Sequence, residues 1–214
     1  MSAPSPTTPD PAGHELHGEE LAQAQAIRAE ALESLLIENG VLSADEVDHY
    51  IETWNHRIGP MEGAKVVARA WADPAYKARL TEDATAALAE VGVNPGRLER
   101  LEVVMNEPGV HNVVCCTLCS CYPWTLLGLP PGWYKSPEYR SRIVREPRTV
   151  LAEMGLDLAP EVTINVWDSS AELRYLVIPE RPAGTEGMAE ADLLGLVTRD
   201  AMIGVAVIEP VVAS

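Results

Sequence analysis

Phenylalanine is missing altogether from these 214 residues, so core volume has to come from Leu, Val, Ile, Ala and a few Trp and Tyr. Basic residues are scarce: 16 Lys and Arg face 32 Asp and Glu, for a net charge of −16. Phosphate backbones and anionic lipid surfaces are held by clustered Lys and Arg, so this balance argues against nucleic acid and membrane surfaces as partners. No run approaches the roughly 18 apolar residues that a membrane-spanning helix needs. The opening MSAPSPTTPDPAGHE has neither a basic n-region nor an apolar h-region and does not read as a secretory signal; the expected location is a reducing cytoplasm. Cysteine is absent from residues 1–114 and from 122–214. All four thiols, Cys115, Cys116, Cys119 and Cys121, sit in the heptapeptide CCTLCSC.

What is present suffices for one domain with an appendage, since 47% of the residues are hydrophobic. Residues 1–13, rich in Pro, Ser and Thr, read as a disordered tail. Residues 14–95 read as a helical N-terminal arm. Ala24, Ile27, Ala31 and Leu35 recur at helical spacing over Gly18–Asn39, and Asn39-Gly40 is a stop. Ser43-Ala-Asp-Glu46 is a capping box for a second helix with the stripe Val47, Tyr50, Ile51 and Trp54. A third helix is expected over Met61–Trp71, ended by Asp73-Pro74, and a fourth over Glu82–Val91 with Thr81 as its cap. Residues 14–60 of the arm are long and thin for a self-sufficient bundle, which makes one of their faces a candidate partner surface.

Beyond Asn94-Pro95-Gly96 the period changes to two, with Leu101, Val103 and Met105 on one side of a strand. Thr163–Trp167 and Leu173–Ile178 flank DSSAE and read as a hairpin, and Ile203–Ile208 as a last buried strand. Helices are expected over 137–154 and 189–200. Residues 96–214 thus form an α+β domain that carries the cysteines.

Clustered thiols in a reducing compartment point to metal binding or catalysis rather than disulfides. Three uses fit the heptapeptide. A structural zinc site would employ the C-x-x-C pair Cys116 and Cys119, but no second pair stands at a distance and His111 is the one nearby imidazole. A redox C-x-x-C normally opens a helix that lowers its thiol pKa; here SCYPW follows, and Pro123 argues against that helix. The third is a metal claw built from one loop. Cys116, Cys119 and Cys121 would supply three sulfurs, and deprotonated backbone nitrogens of Ser120 and Cys121 two more donors. That strong field suits a low-spin trivalent iron or cobalt, with one position open for water or substrate.

NVVCCTLCSCYPW followed by LGLPPGWYKSPEYRSRIVREPRTVLAEMG resembles the α subunit of nitrile hydratase, as do VWDSSAELRYLVIPERPAGTEG and LVTRDAMIGVAV. The resemblance covers about residues 15–210. It implies a layered α/β/β/α domain behind the helical arm and hydration of nitriles to amides. It makes Cys116 an unmodified thiolate ligand, Cys119 the cysteine oxidised to sulfinic acid and Cys121 the one oxidised to sulfenic acid. Ser120 and Cys121 would add their backbone nitrogens. Cys119, Ser120 and Cys121 are then also the catalytic residues, with water or the Cys121 oxygen attacking the nitrile carbon. Thr117 stands where the cobalt branch has Thr and the iron branch Ser, which implies one Co3+ per chain. The resemblance also implies a β subunit, as one chain or two, whose arginines hold the oxygenated sulfurs.

Two positions depart from the family pattern. Cys115 replaces an aliphatic residue and reads as a small buried hydrophobe. Arg97 falls where some relatives carry a glutamine near the active site. Trp124 and Tyr122 are candidate pocket walls, while Arg174, Arg145 and Arg148 read as structural. Rival assignments are the metal-bearing subunit of a thiocyanate hydrolase, which shares the claw and cobalt, and a non-catalytic cobalt-delivering subunit.

Overall fold

A computed structural model describes residues 11–56, 60–93, 100–119 and 121–211. Asn94-Pro95-Gly96, Arg97 and Ser120 therefore lie outside the described residues. The chain divides into two compact units, Met1–Glu52 and Thr53–Ser214.

In the first unit α1 spans Pro11–Glu38 and α2 begins at Ala44 and runs to His56. The capping box forms as expected: the Ser43 N–H and hydroxyl donate to Glu46 Oε2, both at 2.8 Å, and the Glu46 N–H donates to Ser43 Oγ at 3.2 Å. Gly40, at φ 68°, provides the left-handed exit from α1. Ile27, Leu32, Leu35, Tyr50 and Ile51 are all more than half exposed.

The second unit opens with α3 (Pro60–Ala72), α4 (Pro74–Glu82) and α5 (Ala84–Glu90). The α3 stripe is buried, from Ala64 through Val67 to Trp71, whose indole N–H donates to the Pro179 carbonyl at 2.8 Å. Gly63 lets α3 approach closely, because a Cβ there would press on Met202 and on the Leu126 carbonyl. The fourth expected helix resolves into two. Asp73 does end α3, but its carboxylate also caps α4 through the Ala75 and Tyr76 N–H groups. Asp83, not Thr81, caps α5, and the Thr81 hydroxyl instead bonds back to Lys77 within α4.

Four strands follow: β1 (Leu101–Met105), β2 (Val110–Cys115), β3 (Thr163–Asp168) and β4 (Arg174–Ile178). β1 pairs with β4 and β2 with β3, both in parallel. The expected hairpin of Thr163–Trp167 with Leu173–Ile178 does not form: these neighbours in sequence join different sheets. Period-two alternation identifies a strand but not its partner. A buried polar knot ties the two sheets. Asn112 donates to the Met105 carbonyl and the Asn106 side chain, and its own side-chain oxygen accepts from Asn165 and from the Trp167 indole.

Between β2 and β3 lie α6 (Trp124–Leu127), α7 (Gly132–Lys135), α8 (Pro137–Arg142) and α9 (Pro147–Glu153). The single helix expected over 137–154 is interrupted before Pro147, which lacks the N–H to continue it. Arg142 spans the break, bonding Glu146 and Glu153. After β4 come α10 (Glu190–Leu194) and α11 (Arg199–Ile203), capped by Thr198, in place of one helix over 189–200. The molecule is thus the mixed helix-and-strand class expected. The buried strand expected over Ile203–Ile208 is absent: Ile203 closes α11 and Gly204 turns left-handed at φ 92°. There its carbonyl accepts from His111 Nε2 at 2.7 Å.

Gly204 is where a side chain is least tolerated, because a Cβ would collide with the Asn112 carbonyl as well as strain the backbone. Gly204→Ala is expected to cost about 2–4 kcal/mol. Thermal or denaturant unfolding of the intact protein checks this; an unchanged midpoint would contradict the close packing of α11 on β2.

Candidate metal centre

The parallel pairing of β2 and β3 ends with Cys115 opposite Asp168. Cys116 is the first residue beyond the strand, and the loop through Cys121 leaves from there. The Asp168 carboxylate turns onto this loop. One oxygen accepts the Thr117 N–H at 2.9 Å and the other accepts the Thr117 hydroxyl at 2.6 Å. Inside the loop the Cys119 N–H donates to Cys116 Sγ at 3.3 Å. Farther along, the Tyr134 hydroxyl donates to the Cys121 carbonyl at 2.9 Å and Arg140 Nη1 to the Cys119 carbonyl at 3.1 Å. Residues from three separate segments therefore hold Thr117, Cys119 and Cys121 in place.

The result is a triangle of sulfurs. Cys116 and Cys119 Sγ are 3.6 Å apart, Cys119 and Cys121 Sγ 3.2 Å, and all three lie within 4.8 Å of one another. Metal–sulfur bonds of about 2.3 Å place adjacent sulfurs about 3.3 Å apart at right angles and about 3.8 Å apart in a tetrahedron. The triangle fits one metal ion without rearrangement, and none of the four cysteines is in a disulfide. His111 is not near enough to the task to make it a fourth ligand: it is buried, bonded to Gly204, and its basicity is lowered by burial. The zinc arrangement with a distant second pair thus finds no imidazole to complete it among the described residues.

The thiols differ in surroundings. Cys115 is fully buried in the main hydrophobic cluster, and burial first, then Asp168 and Cys116, pushes its pKa up to about 12. It behaves as the small hydrophobe that its departure from the family pattern suggested. Cys121 also resists ionisation, chiefly through burial and then its hydrogen bond with Cys119; Arg174 is the one group that favours its anion. An ion binding here displaces the thiol protons, so metal uptake is coupled to pH.

A recess of about 280 Å³ opens over Cys119 and Cys121. Tyr122, Trp124, Leu129 and Pro130 form its apolar wall, with Lys135 and Arg174 as its cations. A larger hollow of about 450 Å³, beside Asn106, His111 and Arg181, has no cysteine in its wall and is set aside on chemistry despite its size. Tyr122 and Trp124 are therefore both placed at the recess. Arg148 is structural, donating to the carbonyls of Leu158, Ala159 and Val162. Arg145 likewise bonds Ser141. Arg174 is not of that kind, because it faces the sulfurs. Asp168 and Tyr134 had no sequence signal, whereas Arg140 was, with Arg142 and Arg174, a candidate to fold back onto the loop from this same chain, and it does reach the Cys119 carbonyl.

The family model described as "Nitrile hydratase, alpha chain" matches residues 23–206. The low-molecular weight cobalt-containing nitrile hydratase subunit alpha of Rhodococcus rhodochrous is 55% identical over 182 residues, covering 85% of this chain and 88% of that protein. Thiocyanate hydrolase subunit gamma of Thiobacillus thioparus is 47% identical over 192 residues, covering 84% and 78%. Among solved structures, a double mutant of the Fe-type nitrile hydratase from Comamonas testosteroni Ni1 superimposes with a TM-score of 0.81 at 42% identity, covering 90% of this chain and 95% of that one.

Two substitutions separate the adjacent cysteines. Cys115→Val is expected to change stability by no more than about 1.5 kcal/mol and to leave metal content intact. Cys116→Ala is expected to abolish stoichiometric metal. Metal analysis after exhaustive dialysis decides; equal losses would place the ligand register one residue off. Asp168→Ala, which frees Thr117, is expected to weaken metal retention about 10–100-fold while Cys119 and Cys121 remain in place. Competition with a chelator measures this, and unchanged retention would show that the loop holds itself.

Proposed function

The chain belongs to the nitrile hydratase alpha-chain family, and on that premise we propose that it is the metal-bearing subunit of a cobalt nitrile hydratase. The reaction is R–C≡N + H2O → R–CONH2. The observation that carries this reading is the triangle of Cys116, Cys119 and Cys121 at the mouth of an apolar-walled recess. Cys116 serves as thiolate, Cys119 as sulfinate and Cys121 as sulfenate, and the backbone nitrogens of Ser120 and Cys121 complete the set. Cobalt is favoured over iron by Thr117 and by the names of the relatives: cobalt-containing at 55% identity against Fe-type at 42%.

When bound, trivalent cobalt supplies a Lewis acid that polarises the nitrile. The residues of this chain do the rest of the positioning. Trp124, Leu129 and Pro130 offer an apolar wall for the nitrile's R group. The Cys121 oxygen is the chain's own nucleophile, or the acceptor of the attacking water's proton. Sulfinate and sulfenate oxygens place charge in the recess, which is costly unless donors meet it.

Residues 110–134 contain no Arg or Lys, which supports a β subunit, in one chain or two, that brings arginines to the claw. The exposed Ile27, Leu32, Leu35, Tyr50 and Ile51 supply apolar surface for such a partner. The complex is then a hetero-oligomer, and the cytoplasm is its proposed location; no described helix is long and apolar enough to cross a membrane. The likeness to the thiocyanate hydrolase gamma subunit favours thiocyanate as the second reading.

Expressed with its partner in cobalt medium, the chain is expected to carry one low-spin trivalent cobalt and to release amides from nitriles. Parallel assays with thiocyanate separate the two readings, since turnover of thiocyanate alone would displace the first. The isolated, cobalt-loaded chain is expected to turn over far more slowly than the complex. Equal turnover would remove the need for partner arginines.

A further inference from the structure

Arg174 opens β4, and its half-buried guanidinium lines the recess with Cys119 and Cys121. Its Nε and Nη1 are out of reach of solvent and have no hydrogen-bond partner among the described residues. A guanidinium stays charged at any physiological pH, so its N–H groups cannot escape the cost by losing a proton. Buried donors without acceptors are unfavourable, and charged ones more so. An anionic acceptor is therefore missing from beside Arg174.

The recess itself narrows the choice. Lys135 is a cation, and the buried Tyr122 hydroxyl is a neutral phenol. Among carboxylates close in sequence or register, Asp168 is engaged by Thr117 and Glu102 by Arg100, and the exposed Glu172 does not bond the buried Nε and Nη1. Two groups in the wall become anionic acceptors when oxygenated: Cys119 and Cys121. Both line the recess with Arg174, but Arg140 already serves the Cys119 carbonyl and Cys119 is exposed, whereas Cys121 is half-buried.

We propose that Arg174 is a positioning residue for the claw, its guanidinium donating from within the same chain to the oxygen carried by the Cys121 sulfur. This rests on the oxygenated claw of the proposed function. It adds an in-chain donor to those of the partner, because one sulfenate oxygen has room for more than one hydrogen bond. It gives Arg174 a different task from Arg148, which only ties carbonyls together.

The test uses the intact cobalt complex in three forms: wild type, Arg174→Met and Arg174→Lys. Peptide mass spectrometry reads the oxygen count on Cys119 and Cys121, visible absorption reads the sulfur-to-cobalt charge-transfer band, and a thermal melt reports folding. In the wild type Cys121 is expected to carry one oxygen. In Arg174→Met it is expected mostly as bare thiol or over-oxidised acid, with a displaced band and cobalt lost to chelator about tenfold faster. Arg174→Lys, which keeps the charge but not the fork, is expected to recover part of the oxygen and of the band. It also keeps the question open to measurement if the Met variant fails to fold. Oxygen counts and spectra unchanged in the folded variants would overturn the role of Arg174 alone, and would point instead to an acceptor on the partner. A wild-type complex with unmodified Cys121 would overturn this inference together with the oxygenated claw.

Discussion

The clasp between Asp168 and Thr117 is the contact on which the rest of the site depends. Parallel pairing carries β2 and β3 side by side until Cys115 meets Asp168, and there the backbone ladder ends. The carboxylate takes over, receiving both the amide and the hydroxyl of Thr117. Two charge-assisted bonds to one residue restrict its rotation as well as its position. Cys116, immediately before it, stays at the strand end, and Cys119 is brought back over Cys116 by the next turn. Without the clasp, three sulfurs in six residues would be close in sequence but not held in one arrangement.

This dependence explains why a polar knot is buried beneath so apolar a domain. Asn112 on β2 satisfies Asn106, Met105, Asn165 and Trp167, and His111 satisfies Gly204. Each bond has a definite geometry, so the pairing of β2 with β3 is held in register rather than merely collapsed. A slip by one residue would exchange Cys115 and Cys116 between the core and the loop. The core cluster accepts Cys115 with no charge, while Cys116 keeps its sulfur beside Cys119. Thr117 also acquires a meaning beyond its family pattern: its hydroxyl bond to Asp168 could be made equally by Ser. Any preference between metals at this position therefore resides in the added methyl group and not in the hydrogen bond.

The site combines strongly local and strongly distant contributions, and the two respond differently to mutation. The three clustered sulfurs come from one loop, so a substitution there acts on the candidate metal site directly. Tyr134, Arg140, Asp168 and Arg174 come from α7, α8, β3 and β4 and act through what they hold. Such supporting groups set the orientation and donor strength of ligands they never replace. The cations among them also correct the simplest account of charge at the claw: residues 110–134 lack Arg and Lys, yet Arg140 and Arg174 reach it from farther along the chain.

The sequence by itself determined the claw, the capping box at Ser43 and the buried stripe of α3, because each is a relation among residues within a few turns of chain. C-T-L-C-S-C puts its three thiols within a few residues of one another, which the Asp168 clasp then holds in one arrangement, and Ser43 meets Glu46 three residues on. Proline and aspartate signals were also legible but needed finer reading, as Asp73, Asp83 and Pro147 divide helices that periodicity ran together. Only the tertiary structure decided which strands pair, since alternation in Thr163–Trp167 suits a neighbour in sequence as well as β2. It also decided that Ile203 ends a helix and that the residues after it form no strand, because Gly204 must fit against Asn112. And it alone brought Asp168 and Arg174 to the cysteines, since contacts between residues some fifty positions apart depend on packing that no local pattern encodes.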